Sequence, residues 1–146
     1  AALAAWTAGR DPAPAARARF AHPEPRLEWG RWLAGHRATA MLDVSDGLGG
    51  DAGHLAAASG VGLTIELERL PLHRSVDAEA GAIGEAPARF AARAGEDYEL
   101  LVAMPPAFSG SADVILTRIG SVVEGVGASF TMAGSPVEVS GYNHFG

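Results

Sequence analysis

The residues best suited to chemistry lie in one short run, Asp43-Val44-Ser45-Asp46-Gly47, between an apolar stretch and a helix-like one. Residues 38–44 read as a buried strand that delivers Asp43 to the end of a sheet. Ser45 then falls at the N-cap of the following helix, where unpaired backbone amides and the helix dipole favour an anion. Two carboxylates beside such a place repel a bare phosphate. With Mg²⁺ present they become useful, because hard oxygen ligands hold the metal and the metal neutralises the phosphates. Ser45 can offer a hydroxyl or an amide to a phosphate oxygen, and Gly47 lets the backbone come close. The same residues admit a purely structural reading, since Ser-Asp before a helix is a common cap and Asp-Gly a common turn. The pentapeptide alone leaves both readings open.

Composition narrows the chemistry. The chain has 146 residues, enough for one core, with 48% hydrophobic and 19% charged residues in the ordinary range of folded domains. A formal net charge of −6 argues against a nucleic-acid partner, which needs clustered basic residues. All 11 basic residues are arginine, so the chain supplies neither a Walker-type phosphate lysine nor a Schiff-base lysine. The absence of cysteine excludes disulfides, thiolate zinc sites and cysteine nucleophiles. No apolar run approaches the ~20 residues that span a bilayer, and the opening Ala1-Ala2-Leu3-Ala4-Ala5-Trp6 lacks the pattern of a signal peptide. The expectation is a cytoplasmic protein without a membrane partner. Because the first residues read as a helix entered in mid-course, the chain is expected to be part of a longer protein.

The elements that must position the acidic run can be read from periodicity and breakers. Residues 1–8 suit a helix end closed by Gly9, and residues 15–20 a short helix within a proline-rich stretch. Leu27, Trp29 and Leu33 mark an amphipathic helix ending at Gly35. After the acidic run, Leu48, Ala52, Leu55 and Ala56 share one helical face, and Ser59-Gly60 ends that helix. Residues 61–67 read as the next strand, which makes a strand–helix–strand unit. Residues 75–94 are helical with breaks at Gly84 and Pro87, residues 98–104 are a strand, and residues 114–123, 128–132 and 137–139 are β-rich.

The wider pattern resembles a known family. Met41-Leu42-Asp43-Val44-Ser45-Asp46-Gly47-Leu48, then Asp51, His54 and Ser59-Gly60-Val61-Gly62, is similar to the ATP-binding segment of thiamine-monophosphate kinases. The similarity continues in order through Leu70-Pro71-Leu72, Gly95-Glu96-Asp97-Tyr98-Glu99-Leu100, Ile119-Gly120 and the closing Gly141-Tyr142-Asn143-His144-Phe145, with His22-Pro23-Glu24-Pro25-Arg26 upstream. The Ser-Asp-Gly turn is shared more loosely with aminoimidazole ribonucleotide synthetase, selenophosphate synthetase and the hydrogenase maturation factor. The Gly-Glu-Asp-Tyr-Glu-Leu segment and the aromatic ending are more particular to the kinase.

The resemblance implies an ATP- and Mg²⁺-dependent enzyme of two domains that makes thiamine diphosphate from thiamine monophosphate and works as a homodimer. This chain would be its carboxy-terminal domain, with residues 1–25 an entering helix and linker and residues 26–146 the body. The amino-terminal domain, which carries most of the metal-binding aspartates, would lie outside it. The implied fold is α+β: a layered α/β/α domain with a mixed sheet and partial ferredoxin-like character. Residue by residue, Asp43 and Asp46 would bind Mg²⁺ and Ser45 would contact ATP. Glu96 would contact the thiamine substrate, and the ring of Phe145 would lie against it. No residue is implied as a catalytic base. Asn143 departs from the aspartate usual in the family; it reads as a neutral cap in a tail turn or as weaker recognition of the cationic thiazolium. Asp51 is about one helical turn from Gly47 and could orient it, His54 reads as a packing or surface residue, and Arg26 reads as an ionic contact at a helix start that could also reach a phosphate. Two other functions remain open at this point: a synthetase of the same superfamily, and a nucleotide-binding module without catalysis.

Overall fold

Proline and glycine set the boundaries of the helices. In the computed structural model, which describes residues 1–108, 110–111 and 113–141, α1 (Ala2–Thr7) is followed by α2 (Pro14–Ala21), which starts on Pro14. Proline suits that first turn because its missing N–H has no helical partner there. Helix α3 (Leu27–Gly35) leads to β1 (Ala40–Asp43), then α4 (Leu48–Ser59), which ends where Gly60 turns left-handed at φ 64°. Strand β2 (Gly62–Glu66) runs into a single 3₁₀ turn, Leu67–Arg69. Helices α5 (Val76–Ala82) and α6 (Pro87–Arg93) flank the break expected at Gly84 and Pro87. Strands β3 (Leu100–Ala103), β4 (Gly120–Val123), β5 (Gly127–Met132) and β6 (Ser135–Val137) complete the order.

The strands form two sheets. β1 and β3 pair antiparallel, with Asp43 opposite Leu100. The larger sheet has the order β4-β2-β5-β6, with β2 parallel to β5 and the other pairs antiparallel. This mixed sheet among helices is the α+β architecture expected from the sequence. Leu48, Ala52, Leu55 and Ala56 of α4 are buried with Leu63, Ile65 and Phe130 of the larger sheet. Ala40, Leu42 and Leu101 of the small sheet close on the same cluster. On the small sheet's other face, Gly30 of α3 lies beside Met41 and Leu100. The small sheet is thus sandwiched between helices, whereas Ser121 and Ser129 on the outer face of the larger sheet are exposed.

Three expectations are corrected. The strand–helix–strand unit exists in chain order, but β1 and β2 enter different sheets, because β1 takes its hydrogen bonds from β3. The strand expected over residues 114–123 is confined to Gly120–Val123, since β2 offers partners only as far as its 3₁₀ turn. β1 is half-buried rather than buried, with Asp43 exposed, as suits a strand with a single neighbour.

Candidate functional site

Asp43 ends β1, and four residues separate it from the first residue of α4. The N-cap of α4 is Gly47, not Ser45. Gly47 adopts φ 90° and ψ 150°, a region open essentially to glycine alone. A side chain there would also meet the Arg93 and Ala94 carbonyl oxygens at 3.0 Å. The turn therefore needs glycine for both conformation and space, and its cap must come from another residue.

That residue is Asp51. The residue is 4% exposed, and one side-chain oxygen, Oδ2, accepts the amides of Ser45 and Asp46, each at 2.9 Å. Its own amide donates to the Gly47 carbonyl at 3.0 Å. A buried carboxylate that satisfies two successive amides holds them in one geometry and offsets its own desolvation. The amide of Ser45 is thereby committed, so what Ser45 can offer a ligand is its hydroxyl.

The next segment is brought to the turn by backbone pairing beyond the ends of β1 and β3. Val44 donates to Glu99 (2.8 Å), Tyr98 donates to Val44 (2.9 Å), and Glu96 donates to Ser45 (2.7 Å). Glu96 thus lies next to Ser45, although 51 positions separate them in sequence. Glu96 and Tyr98 both hold positive φ, 65° and 52°, conformations that non-glycine residues keep only when their surroundings impose them. Desolvation pushes the Asp97 carboxyl's pKa up to about 6, against the pull of the amino-terminal and Arg19 charges. The residue as a whole is exposed, so this desolvation is partial.

Arg26 forks onto Glu99, with Nε to Oε2 at 3.0 Å and Nη2 to Oε1 at 2.8 Å. This hydrogen bonding raises its pKa further, and its guanidinium also sits 5.1 Å from the centre of the Trp29 ring. Arg26 is thus the ionic contact its position implied. Arg19 reaches Glu99 as well, at 2.6 Å. No local pattern reveals that pair, because 80 positions separate the partners.

Among the described residues, Asp46, Asp51 and His54 each present a potential ligand atom within 4.8 Å of one another. Asp51 Oδ1 is 3.6 Å from His54 Nδ1, and the His54 side chain is 70% exposed. With Asp51 engaged by backbone amides and Mg²⁺ preferring oxygen donors, the groups that suit Mg²⁺ are the carboxylates of Asp46 and the exposed Asp43. Asp43 is not a member of the three-residue cluster. The expectation for Phe145 lies outside the described residues, as does that for Asn143. The segment leading toward them crosses α4 closely: a Cβ at Gly49 would meet Ser140 at 2.9 Å, and one at Gly141 would meet Gly50 at 2.7 Å.

No protein-family model matches the chain. It is 36% identical over 127 residues to the thiamine-monophosphate kinase of Aquifex aeolicus, across 87% of this chain and 40% of that protein. To that of Caulobacter vibrioides it is 37% identical over 150 residues, across 94% of this chain and 42% of the relative. The backbone matches a solved structure of AaThiL complexed with AMPPCP and TMP, with a TM-score of 0.80 and 32% identity, over 99% of this chain and 48% of that one. The chain thus spans less than half the length of these proteins. In sequence and in backbone alike, what this chain resembles over most of its length is thiamine-monophosphate kinase.

Proposed function

We propose that the protein to which this chain belongs transfers a phosphoryl group from ATP to thiamine monophosphate, giving thiamine diphosphate. The observation that carries the reading is the meeting of two distant segments: the acidic turn braced by Asp51, and Glu96 bonded to the Ser45 carbonyl. A metal–nucleotide site and an acceptor-substrate site must adjoin for direct transfer, and these segments adjoin. The match to a protein solved with AMPPCP and TMP supports the same assignment.

In this reading Asp43 and Asp46 hold Mg²⁺, and Ser45 directs its hydroxyl to ATP. Mg²⁺, when bound, supplies charge neutralisation for the polyphosphate. Glu96 contacts the thiamine moiety, whose cationic ring suits a carboxylate. Phe145 covers that ring. The attacking group is an already ionised phosphate oxygen, so no strong base is required and transfer is direct. The chain is the carboxy-terminal domain, with residues 1–25 as linker; a further domain supplies the remaining metal carboxylates. The enzyme acts in the cytoplasm as a homodimer, with neither nucleic acid nor membrane as partner.

The test is formation of thiamine diphosphate from thiamine monophosphate and Mg²⁺-ATP by the full-length protein, with the variant Asp46→Asn beside it. The variant should keep its melting temperature, since asparagine still suits a turn, and lose most of its Mg²⁺-ATP use. No thiamine diphosphate from the parent overturns the function. A variant that unfolds while its folded fraction turns over normally makes Asp46 a structural residue.

A further inference from the structure

We propose that Arg19 is a positioning residue that fixes the Glu96-bearing loop and thereby sets affinity for the acceptor substrate. The proposal rests on the reading of Glu96 as a substrate contact, and the experiment below separates the two.

The loop between α6 and β3 belongs to no helix or strand, and two of its non-glycine residues, Glu96 and Tyr98, sit at positive φ. Such a backbone relaxes unless it is held from outside. It is held along both edges. On one edge the amides of Glu96 and Tyr98 bond to Ser45 and Val44. On the other, Arg19 Nη2 bonds to the Asp97 carbonyl at 2.7 Å and to Glu99 Oε1 at 2.6 Å. The Asp97 carbonyl stands between the two left-handed residues, so Arg19 grips the segment directly beside Glu96. Glu99 is itself held by the Arg26 fork, which makes it a fixed anchor for Arg19.

Exposure decides what this grip affects. The Arg19 and Glu99 side chains are 27% and 44% exposed, and ion pairs that reach solvent add little to global stability. A charged hydrogen bond to a strained loop acts instead on the position of that loop. The nucleotide side has its own brace, because Asp51 holds the Ser45 and Asp46 amides from α4. Loss of Arg19 should therefore weaken acceptor binding while leaving the nucleotide turn in place.

The experiment measures KM for each substrate, with thermal melts, in the full-length enzyme carrying Arg19→Met, Arg19→Lys, Glu96→Gln and the Arg19→Met/Glu96→Gln pair. Arg19→Met should raise KM for thiamine monophosphate about ten- to a hundredfold, the scale of one charged hydrogen bond, with KM for ATP within about twofold and little change in melting temperature. Arg19→Lys should recover part of the loss, since an ammonium can still reach one of the two acceptors. In the pair, the two effects should fall short of multiplying, as for residues acting through one contact. A lowered melting temperature with both Michaelis constants unchanged overturns the proposal, as does an equal rise in both constants. If Glu96→Gln raises KM for thiamine monophosphate and Arg19→Met does not, the positioning role fails and Glu96 stands. If Arg19→Met raises it and Glu96→Gln does not, Glu96 is not the contact and Arg19 positions another part of the loop. If neither variant raises it, both assignments fall.

Discussion

Asp51 braces the acidic turn from inside the fold. One of its oxygens satisfies two amides of the acidic turn from a buried position on α4. Replacing it by alanine strips both amides of their acceptor, and each orphaned group costs about 1–3 kcal/mol. Asp51→Ala should therefore lower unfolding free energy by about 2–6 kcal/mol, read by denaturant titration, whereas Asp51→Asn keeps a carbonyl acceptor and should lose much less. Similar losses in the two variants would remove the capping role. Asp97 gives a second test at the same scale. Its folded pKa of about 6 lies above its ordinary 3.8, so between those values the folded state binds more protons than the unfolded one. Stability then falls as pH rises across that window. Asp97→Asn abolishes the titration, so its melting temperature should gain on the parent from pH about 4 to about 6 and then level off. A difference that stays flat would mean that the carboxyl titrates as in the unfolded chain.

At the scale of elements, the site depends on close approaches that only glycine permits. Gly47 joins β1 to α4 in a conformation closed to other residues, and it lies against the last turn of α6. Gly47→Ala should cost about 1–3 kcal/mol from backbone strain alone, with more from contact with the Arg93 and Ala94 carbonyls. Folding with parental stability would mean that the turn can adopt another conformation. The crossing of Gly141 over Gly50 has a related logic. It brings residues 140–141 across the first turn of α4, beside the Asp46 carbonyl. Helix α4 thus serves two purposes. Its buried face joins the two sheets through Leu48, Ala52, Leu55 and Ala56, and its first turn braces the site.

At the scale of the molecule, the proposed function makes the acidic turn and the Glu96 loop only part of a phosphoryl-transfer site. Asp43 and Asp46 are the two carboxylates assigned to metal, and the chain spans 40% of its Aquifex aeolicus relative. Each Mg²⁺ takes one or two carboxylates besides water and phosphate oxygens, so two carboxylates fall short of a site that uses more than one metal to neutralise a triphosphate. Residues 1–146 purified alone should therefore form no thiamine diphosphate from thiamine monophosphate and Mg²⁺-ATP, while the full-length protein does. Turnover by the isolated chain would show that residues 1–146 suffice.

The sequence by itself determined the features that rest on local chemistry. Proline and glycine marked α2, α4, α5 and α6 within one or two residues, because those residues act through their own φ and N–H. The buried stripe of α4 followed from its period. The acidic turn followed from its residue types, and so did the chemistry that such types permit. What the sequence could not determine depends on distant partners. Whether β1 joins β2 or β3 is decided by which strand offers hydrogen bonds, and residues 114–119 gain no strand because β2 has already turned away. The cap of the turn passed from Ser45 to Asp51 because Gly47 took the N-cap position and left two amides for a buried carboxylate to satisfy. The meeting of Ser45 with Glu96, and of Arg19 with Glu99, is likewise tertiary. Residue types specify what a group can do, and only the folded chain decides which groups are near enough to do it together.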